Sequence, residues 1–223
     1  MTGFYVKILS MFERMAYQVG IDYDGVFIKK PKPLDFPRRA TKFGLPSMPG
    51  VIDGVNFLNN QRGVNVLGVY TVRPQWLREG QTRRQVLRRN FPVERIVHTT
   101  NSPADKIRHL LYDATDQSGL AKSPSYDKKT EHFQDEWLRR RINTFGLNQI
   151  ILIDDSTQKI IDAAKQLYEE RPGIRPLLER FTHIAFNPKQ PEQFEGLIIP
   201  RVIHVVTMRD WSEIERVMGQ IRS

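Results

Sequence analysis

The run Val64-Asn65-Val66-Leu67-Gly68-Val69-Tyr70 is almost continuously apolar. It lacks the alternation of a half-exposed strand, so it reads as a strand covered on both faces, the pattern of a buried parallel sheet. Shorter runs of the same character predict strands over about Val19–Asp22, Glu94–Thr99, Gln149–Ile153, Thr182–Phe186 and Val202–Thr207. Apolar residues at helical spacing fall between them. Val51, Val55 and Leu58 follow Pro49, with Gly63 as a stop; Ile107, Leu110, Leu111 and Ala114 form a second set. Ile160, Ile161, Ala164 and Leu167 form a third, and Trp211–Ile221 closes the sequence. Further helices are expected over 1–17, over Trp76–Asn90, and where Phe133, Trp137, Leu138, Ile142 and Phe145 share one side. Strands alternating with helices predict an α/β fold, a Rossmann-like, mostly parallel sheet flanked by helices. A length of 223 residues suits a single domain spanning 1–223.

In sheets of this kind ligands bind beyond the carboxyl ends of the strands. Three of those ends carry reactive side chains. The first strand runs into Ile21-Asp22-Tyr23-Asp24-Gly25-Val26-Phe27, the second into Thr71, and the fourth into Asp154-Asp155-Ser156. Two carboxylates two residues apart repel unless a cation or a shared proton relieves them. Their hard oxygens suit Mg²⁺. Gly25 lets the chain turn sharply and admits a ligand close to the main chain. Each feature also has a plain structural explanation. Asp155 or Ser156 can cap the next helix, and a threonine is a common strand residue. Three strand ends together are harder to explain that way than any one alone.

Composition narrows the classes further. There is no cysteine, which excludes disulfides, thiolate metal sites and a cysteine nucleophile. Lys7, Glu13 and Arg14 interrupt the N-terminal residues, so no signal-like apolar core is expected there. No apolar run has the length of a membrane span, and a cytoplasmic protein without membrane association is the default expectation. The net charge of +9 favours anionic partners, either phosphate esters or nucleic acid. Residues 28–48, with Lys29-Lys30-Pro31-Lys32-Pro33 and Arg38-Arg39, are too rich in proline for a helix and read as an extended basic loop. Basic clusters also occur at Arg83-Arg84, Arg88-Arg89 and Arg139-Arg140-Arg141, where solvated helix faces are the simpler explanation.

Asp22-Tyr23-Asp24-Gly25-Val26, a later strand ending in Thr71, a basic residue, and Asp154-Asp155 after another strand together resemble the haloacid dehalogenase superfamily. The resemblance covers residues 19 to 160 and implies the mechanism of that family's phosphatases. It makes Asp22 the nucleophile, forming an aspartyl-phosphate, and Asp24 the acid and base. Dehalogenating members lack an acid at the second position. It places Mg²⁺ between Asp22, the main-chain carbonyl of Asp24 and Asp154, with Asp155 as a direct or water-mediated ligand, and has Thr71 donate to a phosphoryl oxygen. The family also requires a lysine at the phosphoryl group, and two compete. Lys129 opens the helix leading into the fourth strand, whereas Lys106 lies just after the third.

Thr71-Val72-Arg73-Pro74 and Ile153–Gln158 are in addition locally similar to the phosphatase domain of polynucleotide kinase-phosphatases. That similarity implies a phosphate contact for Arg73. No phosphate-binding glycine loop of a kinase half is present. The family's cap positions fall at 28–62 and 100–127, and both look too small to be full cap domains. The implied function is Mg²⁺-dependent phosphomonoester hydrolysis, on nucleic-acid ends or on nucleotides. The alternatives are a small-molecule phosphatase and a non-catalytic protein that kept the fold. The sequence leaves the oligomeric state open.

Overall fold

The computed structural model describes residues 17–29, 46–71, 82, 86, 92–93, 95–99, 102–115, 149–194, 196–199 and 202–223. The helices expected over 1–17, over 76–90 and around 133–145 lie wholly or largely outside these residues. So do 30–45 and 116–127, parts of the two expected rim insertions.

A seven-stranded sheet forms the middle layer, in the order β3-β2-β1-β4-β5-β7-β6. Its strands are β1 (Tyr17–Asp22), β2 (Val64–Thr71), β3 (Ile96–His98), β4 (Gln149–Asp154), β5 (Phe181–Phe186), β6 (Ile198–Ile199) and β7 (Ile203–Met208). All neighbours pair in parallel except β6, which runs antiparallel to β7 at the edge. The fold is therefore the expected Rossmann-like α/β sheet flanked by helices. β6 was not anticipated. Two residues are too short to carry a periodic signal.

Alternate residues of each strand feed two separate cores. In β4, Ile151 and Ile153 pack on one face, while Ile150 and Leu152 pack on the other. That double burial is why the strand reads as a continuous apolar run. The first face is covered by α1 (Val51–Asn60) and α5 (Ile214–Arg222), with Trp211 between them. The second is covered by α2 (Pro103–Thr115), α3 (Thr157–Glu170) and the short α4 (Arg175–Leu178). α4 and the 3-10 turn before it, Pro172–Ile174, were not anticipated; a proline at the start of each suits a helix N-terminus. The last helix begins as a 3-10 turn, Trp211–Glu213, where the Asp210 carboxylate accepts from the Ser212 N–H at 2.8 Å.

One polar side chain sits wholly inside the second core. His183 of β5 has 0% exposure. Its Nδ1 lies 3.2 Å from the Leu152 carbonyl and its Nε2 lies 3.2 Å from the Thr157 hydroxyl. A carbonyl only accepts, so Nδ1 carries the hydrogen and Nε2 accepts from Thr157. Burial pushes its pKa down from 6.5 to about 4, so the ring is neutral near pH 7. The unfolded chain binds a proton between those two values that the folded chain refuses. The stabilisation from this residue is complete above pH 6.5 and declines as the pH falls toward 4. The expected loss is about 3 kcal/mol. Urea unfolding at pH 7.5 and pH 4.5, compared with His183→Gln, checks it. The histidine-dependent share of the pH sensitivity should vanish in the variant.

Candidate active site

β1 and β4 are neighbours at the centre of the sheet, and both end in aspartate at the same edge. Asp22 closes β1 opposite Tyr70 of β2, and Asp154 closes β4 opposite Ala185 of β5. Beyond Asp22 the chain folds into a tight loop. The N–H groups of Phe27 and Ile28 both donate to the Tyr23 carbonyl at 3.1 Å, and the Gly25 N–H donates to the Ile28 carbonyl at 2.9 Å. Asp24 lies half-buried within this loop and forms a bridge to Ile28. Gly25 has φ 102°, a conformation that costs a side-chain-bearing residue energy. An added Cβ would also lie 2.7 Å from the Asp155 carboxylate carbon. The glycine is thus where the loop of β1 touches the acid after β4.

Asp22, Asp154 and Asp155 each offer a carboxylate oxygen within 4.8 Å of the others. Asp22 is 6% exposed and Asp154 is fully buried. Asp154 is the better supported of the two. Its Oδ1 accepts from the Ser156 N–H at 2.7 Å and its Oδ2 from Lys106 Nζ at 2.6 Å. Ser156 turns its hydroxyl to Asp155 at 3.1 Å, and no side-chain bond caps α3. The serine therefore stands at the N-cap position without making a side-chain capping bond.

Lys106 reaches in from the first turns of α2. Its ammonium lies 2.9 Å from Asp22 Oδ1 as well as 2.6 Å from Asp154 Oδ2. Burial works against its charge, but the two carboxylates outweigh that and hold its pKa well up. Burial likewise opposes the charge on Asp154, yet Lys106 and the Ser156 N–H keep its carboxyl below the usual range. Asp22 goes the other way. Burial, with Asp154 and Asp155 adding to it, pushes its carboxyl well above the usual range despite Lys106. Three acids share one ammonium, and the surplus of negative charge is felt at Asp22, the carboxyl that resists ionisation. A further cation would relieve it, and an all-oxygen carboxylate donor set fits Mg²⁺.

Of the two competing lysines, the structure brings Lys106 to the aspartates; Lys129 lies outside the described residues, as does Arg73. Thr71 is the last residue of β2, 1% exposed, one position beyond the Tyr70 that pairs with Asp22. Its carbonyl accepts from the Thr99 N–H at 3.1 Å.

Two supporting groups were not anticipated. Asp113, near the end of α2, accepts from the Tyr70 hydroxyl at 2.7 Å and from Arg95 at 2.9 Å. These bonds tie α2, the helix that carries Lys106, to β2 and to the approach of β3. The only sequence signal was a tyrosine inside an apolar run. The other is Trp211, whose indole N–H donates to the Val26 carbonyl of the aspartate loop at 3.0 Å. A lone tryptophan after a strand gave no hint of where its N–H would go.

No protein-family model matches the chain, and neither does any curated protein. Among solved structures, a trehalose-6-phosphate phosphatase from Aspergillus fumigatus aligns over 97% of this chain and 96% of its own, at 9% identity and a TM-score of 0.35. A likeness that faint adds nothing to the geometry of the site. Among the described residues no helix is long and apolar enough to cross a membrane.

Proposed function

We propose that this chain is a Mg²⁺-dependent phosphomonoester hydrolase of the haloacid dehalogenase type. The observation that carries the reading is the meeting of Asp22, Asp154, Asp155 and Lys106 at the carboxyl ends of two adjacent parallel strands. Asp22 attacks phosphorus with one carboxylate oxygen. The bond from phosphorus to the ester oxygen breaks, and that oxygen takes a proton from Asp24. Water then attacks the aspartyl-phosphate and gives a proton back to Asp24. The acyl-phosphate bond breaks, which releases inorganic phosphate and restores the Asp22 carboxylate. Lys106 holds the Asp22 carboxylate in place and supplies positive charge beside the incoming phosphoryl group. Thr71 donates its hydroxyl to a phosphoryl oxygen. Asp22, Asp154 and Asp155, with the Asp24 carbonyl, would hold Mg²⁺, which supplies further neutralisation of phosphoryl charge.

The substrate class we favour is a phosphorylated nucleic-acid end, because the chain carries a net charge of +9 and a run of lysines at 29, 30 and 32. Hydrolysis of phosphate monoesters should be abolished by EDTA and restored by added Mg²⁺; undiminished release of phosphate in EDTA would end the reading. With a phosphorylated oligonucleotide, kcat/KM should fall with salt at a log–log slope of about 0.7 per phosphate contacted, and a matching mononucleotide should show a shallow slope. Charge reversal at Lys29, Lys30 and Lys32 should flatten the first slope alone. Equal slopes for both substrates would favour a small-molecule phosphatase instead.

A further inference from the structure

We infer that Trp211 is a positioning residue for Asp24, acting through the aspartate loop. The loop from Tyr23 to Ile28 satisfies several of its own hydrogen-bonding groups internally, but its apex carbonyl, on Val26, points into the first core. A buried carbonyl left without a donor is costly. The donor comes from 185 residues further along, as the indole N–H of Trp211 at 3.0 Å.

The ring is held from several sides. It is 1% exposed and lies edge-on to Phe27 at 6.3 Å between centroids and tilted against Phe186 at 5.9 Å. α1 makes room for it with a glycine. A Cβ on Gly54 would run into the six-membered ring and lie 3.1 Å from its Cδ2. Phe27, one of the residues the indole touches, is itself part of the loop and bonded back to Tyr23. The indole thus holds the loop by both its main chain and a side chain, one residue beyond Gly25 and two beyond Asp24. Rotation of that loop swings Asp24 relative to Asp22, which is fixed in β1.

The inference rests on Asp24 being the general acid, so the test separates the two. Leaving-group protonation matters for alkyl phosphates and much less for aryl phosphates. Asp24→Asn should therefore lose far more kcat/KM, which reports the phosphorylation step, on the alkyl ester. Trp211→Phe keeps an aromatic ring and removes the N–H. Its kcat/KM, which reports formation of the aspartyl-phosphate and not the later water step that also uses Asp24, should fall roughly tenfold on an alkyl phosphate and by less than about twofold on an aryl phosphate. Gly54→Ala, which displaces the indole from α1 without touching the loop, should give the same selective loss and serves if Trp211→Phe does not fold. A merely structural tryptophan would depress both substrates equally, in proportion to the unfolded fraction. Equal losses in the Trp211 and Gly54 variants, with Asp24→Asn selective, overturn the positioning role alone. An unselective Asp24→Asn overturns the acid assignment and the inference with it.

Discussion

Asp22→Asn is expected to lower phosphatase turnover on the order of ten-thousandfold or more, the scale seen when a covalent nucleophile is removed. The fold should survive. Asparagine has nearly the same volume, and its Oδ1 can still accept from Lys106, which is 2.9 Å from the native oxygen. It also removes a buried carboxyl that already resists ionisation, so the thermal midpoint should stay level or rise. Initial rates on an aryl phosphate and a melting curve measure both. A loss of less than about tenfold would mean that another residue makes the bond to phosphorus.

The second large effect is on stability. Lys106→Met leaves Asp22 and Asp154 facing each other with no ammonium between them, and their side chains are only 9% and 0% exposed. Removing one partner from a buried ion cluster costs about 3–5 kcal/mol. For a chain of this size each kcal/mol moves the midpoint by about 2–4 °C, so a fall on the order of 10 °C is expected in EDTA. Mg²⁺ should recover part of it, and should raise the midpoint of the variant more than that of the native protein. Binding to the folded state stabilises by mass action, and the variant has more unrelieved charge for the ion to meet. Melting curves with EDTA and with Mg²⁺ decide it. An unchanged midpoint in EDTA would show that the lysine does not hold the acids together.

The strands and the acids at their ends were legible because both signals are local. An apolar run followed by Asp22 or Asp154 says where a strand is and where it stops. The lysine was not legible, because Lys106 and Lys129 are both lysines near a helix start. Only the path of α2 across the second face brings Lys106 to Asp22, 84 residues away, and to Asp154, 48 residues away. The histidine of β5 was hidden for a related reason. Its neutrality comes from burial, and its partners Leu152 and Thr157 are both distant in sequence. Ser156 does stand at the N-cap of α3, but its hydroxyl donates to Asp155 and makes no side-chain capping bond.

The bond from Trp211 to Val26 also bears on how the protein is made. A chain grows from its N-terminus, and its β1 loop emerges long before the indole that holds it. β1 also lies between β2 and β4 in the sheet, so its second neighbour is not synthesised until after residue 149. Up to that point the nascent chain has Asp22 and Asp24 but no fixed frame for them. The residues that would perform the chemistry are made well before the contact that we infer positions their loop, so activity should appear only once residues 203–222 have docked.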